Sequence, residues 1–130
     1  MTIYAHTLVR NEERFIWYSV MSVIDHVDRI LIRDTGSTDN TIDIIKEIKR
    51  SHPEKVDFKE IGDVDIYKFT EVRQEMLEGT KGDWIFILDG DEIWWDDSIK
   101  QITEVVTKSG DELETIVSKH LNVVGDIFHF

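Results

Sequence analysis

The five consecutive apolar residues Trp84-Ile85-Phe86-Ile87-Leu88 run directly into Asp89-Gly90-Asp91-Glu92. Nothing else in the chain restricts its fold as much. The run is too short for a membrane span, and its β-branched and aromatic residues suit a strand. A strand that is apolar at every position belongs in a parallel sheet covered on both faces. The run therefore predicts the middle strand of such a sheet. Parallel neighbours need long crossovers, usually helices, and the rest of the chain supplies them.

Ile3 to Val9 reads as a short apolar strand. Asn11-Glu12-Glu13 then opens a helical pattern. Phe15, Ile16, Tyr18, Ser19, Ser22, Val23 and His26 recur at near-helical spacing, with Asn11 as N-cap and two acidic residues favourable to the helix dipole. Val27–Ile32 predicts a second strand, Thr41–Arg50 a helix with Ile42, Ile45 and Ile48 on one face, and Lys55–Ile61 a third strand. Phe69–Glu78 reads as helix, Asp97–Thr107 as helix, and the tail Glu114–Val124 as strand. Strands alternating with helices specify an α/β domain with a mainly parallel sheet.

Composition narrows the function. The 130 residues amount to one domain, 1–130, and 41% are apolar, enough for a core. The absence of cysteine excludes disulfides and thiolate metal sites. The formal net charge of −12 argues against nucleic acid, since phosphate contacts need clustered Lys and Arg. Met1-Thr2-Ile3-Tyr4 has no basic stretch and no signal-peptide core, so the expectation is a soluble, cytoplasmic protein. A homo-oligomer is left open.

In open parallel sheets, ligands bind outside the carboxyl ends of the strands. Three polar clusters fall at such ends: Arg10-Asn11, Asp34–Asn40 and Asp89–Glu92. Asp89 and Asp91, one residue apart after a stiff strand, suit a hard divalent ion such as Mg²⁺ or Mn²⁺, which takes oxygen ligands and is usually shared with substrate phosphates. Gly90 lets a ligand approach the backbone. The plain alternative is a solvated turn. In Asp34-Thr35-Gly36-Ser37-Thr38-Asp39-Asn40, the residues Ser37, Thr38 or Asp39 serve to cap the next helix. That leaves Asp34 free to accept hydrogen bonds from a base or ribose. Arg73 could bind a diphosphate bidentately or pair with Glu71 or Glu75. Of Trp94 and Trp95, one is expected to pack beneath the following helix and the other to be partly exposed; a sugar-stacking role is the rival. The histidines have no ligand spacing, and Gly79-Thr80-Lys81-Gly82 is not a phosphate loop.

Four blocks together resemble the donor half of a family 2 glycosyltransferase of the GT-A fold. They are Leu8-Val9-Arg10-Asn11-Glu12-Glu13, Asp34-Thr35-Gly36-Ser37-Thr38-Asp39-Asn40-Thr41, Arg73-Gln74, and Gly82 through Glu92. Thr35 departs from a second Asp common in the family, and Gln74 from the usual Asn. The resemblance implies a Rossmann-like GT-A fold and an enzyme, a hexosyltransferase using a nucleoside-diphosphate sugar, with a UDP-sugar expected. It implies an inverting, metal-assisted transfer to an unknown saccharide, lipid or protein acceptor. It places Val9, Asn11, Asp34, Thr35, Gly36, Arg73, Asp89 and Gly90 at the donor, and Asp89 and Asp91 at Mn²⁺ or Mg²⁺, Asp91 most directly. Family members continue past the acidic block into an acceptor half, which is largely absent here; Asn122–Phe130 looks like a strand entering it. No catalytic base is assigned, though Asp126 and His129 can be tried as stand-ins. The alternatives are a non-catalytic nucleotide-sugar-binding module or inactive fragment, a receiver-type domain, which lacks the Lys it needs after the fourth strand, and a plain interaction domain.

Overall fold

A computed structural model describes residues 1–123. Val124, Asp126 and His129, and with them the proposed strand into a later half and the stand-in bases, lie outside the described residues. The elements in order are β1 (Ile3–Val9), α1 (Ile16–Val23), β2 (Arg29–Asp34), α2 (Thr41–Ser51), β3 (Val56–Glu60), α3 (Ile66–Glu78), β4 (Trp84–Ile87) and α4 (Asp96–Ser109), followed by a 3₁₀ turn, Gly110–Glu112. The strands form one sheet in the order β3-β2-β1-β4. All three pairings are parallel. This is the α/β architecture that the alternation of elements predicts.

Side-chain alternation along the strands assigns the layers. Ile30 and Ile32 of β2 pack with Ile16, Val20 and Val23 of α1, Ile45 and Ile48 of α2, and Ile99 and Val106 of α4 in the main core. Leu31, between them in sequence, points the other way and packs with Val72 and Met76 of α3. The chain steps from β1 outward to β2 and β3, then returns to the far side of β1 as β4. Right-handed crossovers in opposite directions put α1 and α2 on one face and α3 on the other. The reversal makes the β1/β4 boundary the topological switch point, the position at whose carboxyl ends open parallel sheets bind ligands.

Several expectations are corrected. Trp84–Leu88 is not the middle of the sheet: β4 is an edge strand among the described residues, and Ile87 is 51% exposed. Apolar content says that a strand wants cover on both faces, not which neighbours it has. The central strands are β1 and β2, whose apolar runs are broken by buried polar residues; His6 and Arg33 find partners inside, while Thr7 Oγ1 in β1 has none among the described residues. His6 lies 2.6 Å from Thr80 Oγ1, and Arg33 donates to Asp57 Oδ1 at 3.0 Å. β2 starts and ends two residues later than Val27–Ile32, so Asp34 belongs to the strand, opposite Val9 and Glu60. Asn11 is not a helix cap. It adopts the left-handed region (φ 53°), and α1 starts at Ile16, where Phe15 and Ile16 donate to the Glu12 carbonyl. Residues 114–123 form no strand; Ile116 instead folds back onto the main core.

Candidate functional site

Two of the sequence blocks lock together at the carboxyl edge. The Asn11 amide donates to Ser37 Oγ (2.9 Å), and Thr38 donates its amide to Asn11 Oδ1 (2.8 Å). Glu12 N–H donates to Thr41 Oγ1 (2.9 Å), and Asn40 N–H donates to Glu13 Oε2 (3.0 Å). Asp39 Oδ1 accepts from both the amide and the hydroxyl of Thr41, which ties down the first residue of α2, but the N-cap is Asn40, with no side-chain cap bond, rather than Ser37, Thr38 or Asp39. These bonds outweigh the opposing effect of burial and hold the Asp39 carboxyl below its ordinary value. The conspicuous polar residues of 11–13 and 37–41 therefore satisfy one another.

Asp34 also has a structural task that the sequence did not show. Its Oδ1 accepts from the amides of Gly36 (3.0 Å) and Ser37 (2.9 Å), while Oδ2 accepts from the Ser37 hydroxyl. The carboxylate is buried at the base of the turn it organises. An ionised carboxylate has about four acceptor sites, so this set leaves capacity for roughly one further donor. Val9 and Thr35 form the wall beside it: Thr35 N–H and its hydroxyl both donate to the Val9 carbonyl, at 2.9 and 3.2 Å. Gly36 has φ +98°, open to glycine and strained for other residues.

The acidic block meets this lock across the switch point. A Cβ on Gly90 would stand 3.0 Å from Val9 Cγ2 and 3.2 Å from Glu12 Cγ, so the loop lies directly against the end of β1. Asp89 is held through its backbone: its carbonyl accepts from Ser19 Oγ (2.9 Å) and Glu92 N–H (3.1 Å). The side chains of Asp89 and Asp91 are exposed. Glu12, read from sequence only as a helix-dipole residue and part of a motif, completes the acidic group. Burial, then the charges of Asp91 and Asp39, push its carboxyl above the ordinary value. Topology thus joins Glu12, Asp39 and Asp91 in one electrostatic group. Among the described residues no three acidic, His or Cys side chains are grouped so as to hold a metal ion by themselves.

Arg73 stands apart from this lock. It lies on α3, on the opposite face of the sheet, with its guanidinium carbon 5.1 Å from the Phe69 ring centroid. It borders a small cavity of about 170 Å³ with His6, Met76, Leu77, Ile85 and Ile87. Its neighbour Gln74 donates to Glu78 on the helix surface (2.8 Å). Trp94 packs edge-on against Phe86 (4.9 Å between centroids) and Trp95 is 72% exposed, as the packing reading expects.

Comparison with known proteins gives the fold and the family. The SPbeta prophage-derived glycosyltransferase SunS of Bacillus subtilis is 29% identical over 108 residues, 80% of this chain and 23% of SunS. S. aureus TarS 1–349 in complex with UDP superposes with a TM-score of 0.66 at 15% identity, covering 85% of this chain and 33% of that one. Mannosyltransferase PcManGT from Pyrobaculum calidifontis, in complex with GDP-Man and Mn²⁺, gives 0.61 at 16% identity, over 82% and 33%. At these identities the two structures speak for the fold, which is the GT-A fold. The chain spans about a fifth of the curated relatives it matches, 19 and 23%. The model of the family described as Glycosyl transferase family 2 matches residues 5–120, from β1 past the end of α4. With the acidic block and the Asp34 turn on one edge of a GT-A sheet, and nearly the whole chain inside that match, the chain belongs to glycosyl transferase family 2.

Proposed function

We propose that this chain forms the donor side of a glycosyltransferase and binds a nucleoside-diphosphate sugar, with UDP as the expected nucleotide, at the β1/β4 switch point. Asp34, Thr35 and Gly36, with Val9 and Asn11 behind them, form the base and ribose wall. Asp89 and Gly90 face the ribose and diphosphate, and Arg73 approaches from the α3 side.

The observation that carries this reading is the surplus of negative charge at the crevice. Glu12 is destabilised as an anion by burial and then by Asp91 and Asp39, and Asp89 and Asp91 are exposed. Arg10, a cation at this edge, is paired with Asp63 at 3.0 Å. A diphosphate entering alone would be repelled by about 4 kcal/mol per pair of unit charges at 4 Å and an effective dielectric of 20. The donor set is all oxygen and too small to enclose an ion. That matches the usual habit of Mg²⁺ and Mn²⁺, which take one or two carboxylates and complete the shell with water and substrate phosphate. In this reading Asp91 is the direct ligand and Asp89 the second. When bound, the ion supplies Lewis acidity toward the departing phosphate oxygens.

The residues of this chain would orient the nucleotide and hold the sugar's anomeric carbon toward the open side. Displacement there by an acceptor hydroxyl inverts the configuration. Titration with UDP and with GDP, with and without Mn²⁺, on the parent and on Asp91→Ala tests the reading. Binding should depend on Mn²⁺ and be lost in the variant. A metal-independent signal that survives the substitution removes the donor site.

A further inference from the structure

The core face of α1 contains one residue that packing does not explain. Its buried positions are Ile16, Ser19, Val20 and Val23. A serine among them needs a polar partner, because an unsatisfied buried hydroxyl is costly. Ser19 is fully buried, and its hydroxyl donates to the carbonyl of Asp89 at 2.9 Å. One turn further on, Ser22 Oγ donates to the Ser19 carbonyl (2.7 Å) and accepts from Trp94 N–H (3.1 Å). Just beyond the helix, His26 Nε2 lies 3.2 Å from Asp96 Oδ1. Two side chains of α1 and one just beyond it thus meet Asp89 and Trp94 in the 88–95 connection, which has no regular structure of its own, and Asp96 at the start of α4.

We propose that Ser19 is a positioning residue for the acidic loop. By fixing the Asp89 carbonyl it sets the direction in which the Asp89 and Asp91 carboxylates leave the backbone. The inference rests on the donor-site reading above. The Asp89 carbonyl accepts from both Ser19 Oγ and Glu92 N–H (3.1 Å), and the Asp89 amide donates to Glu92 Oε2 at 3.2 Å. Gly90 leans on Val9 and Glu12. Removing the Ser19 hydroxyl frees one of these supports while leaving the carboxylates chemically intact. Partners that orient metal ligands from behind typically change affinity 10–100-fold when removed.

The test is a titration of the 130-residue chain with Mn²⁺ in saturating UDP, read by electron paramagnetic resonance, together with amide hydrogen exchange. The variants are Ser19→Ala and Asp91→Ala. Expected are loss of Mn²⁺ binding in Asp91→Ala, and in Ser19→Ala a roughly tenfold weaker affinity with faster exchange confined to residues 89–94. If Asp91→Ala loses the ion and Ser19→Ala binds it like the parent, the positioning role is wrong and the donor site stands. If Asp91→Ala binds like the parent, the donor site is wrong and the positioning role goes with it. Faster exchange spread through β1 and β2 would make Ser19 merely structural and overturn the proposal. Should Ser19→Ala fail to fold, Ser22→Ala, half-buried, takes its place: the same selective loss is expected, and unchanged affinity overturns the proposal.

Discussion

His6 shows how a single buried side chain can make stability depend on pH. It lies in the central strand β1 and is 7% exposed. Thr80 Oγ1 donates to the Met76 carbonyl at 2.8 Å, so toward His6, 2.6 Å away, it must accept. That assigns the imidazole proton to Nε2. Burial, then the charges of Arg33 and Arg73, hold the His6 pKa below its ordinary 6.5. The folded state therefore binds the second proton, which would add at Nδ1, more weakly than the unfolded chain does. Stability from His6 is complete above about pH 6.5 and is lost as pH falls through the lower folded value. Urea unfolding at pH 7.5 and pH 5.5 should show a smaller drop in His6→Gln than in the parent. Equal drops in the two proteins would refute the assignment.

At the scale of elements, the two interlocked loops decide how rigid the nucleotide wall is, and Gly36 is their tightest point. A Cβ there would meet Asp63 Oδ1 at 2.5 Å and the Asp63 backbone nitrogen at 3.1 Å, on a backbone with φ +98°. Strain of this kind costs of order 1–3 kcal/mol. Gly36→Ala should lose about that much in chemical denaturation. Gly36→Ala combined with Asp63→Ala should recover only a small part, because backbone strain and the close nitrogen remain. Full recovery would show that the Asp63 side chain, not the backbone, demands glycine. The order of elements was legible in the sequence because hydrophobic period and cap residues are local signals. The convergence of Asn11, Asp34 and Asp89 at one edge was legible through topology. The rank of β4 in the sheet was not, since apolarity counts faces to be covered and not neighbours. Nor was the structural task of Asp34 legible, because a carboxylate that closes a turn and one that receives a ligand look alike in sequence. Ser19 carried a weak signal, a polar residue at a core position of an amphipathic helix. Glu12 was legible only as a helix-dipole and motif residue, since its raised carboxyl comes from burial and then from Asp91, far away in the chain.

For the molecule as a whole, the net charge of −12 sets function against stability at the crevice. Distant surface charges are screened within roughly 8–10 Å, so the local group of Glu12, Asp39 and Asp91 matters more than the total. Without a cation, burial and then the charges of Asp91 and Asp39 make Glu12 harder to ionise, as its raised carboxyl records. Taking one away should relieve the folded state. Asp91→Ala is therefore expected to match or exceed the parent by a few tenths of a kcal/mol in metal-free buffer, within the range of surface substitutions. With Mn²⁺ and UDP the order should reverse. A ligand held only by the folded chain at a hundred times its dissociation constant adds about 2.7 kcal/mol. The parent gains this and the variant does not. Urea unfolding of both proteins, in chelator and then in Mn²⁺ with UDP, measures the four stabilities. A variant less stable than the parent in chelator would mean that Asp91 supports the fold itself. A parent that gains nothing from Mn²⁺ and UDP would mean that the acidic loop serves no donor. A crossing of the two orders is the result expected of carboxylates kept close together for a cation they do not themselves neutralise.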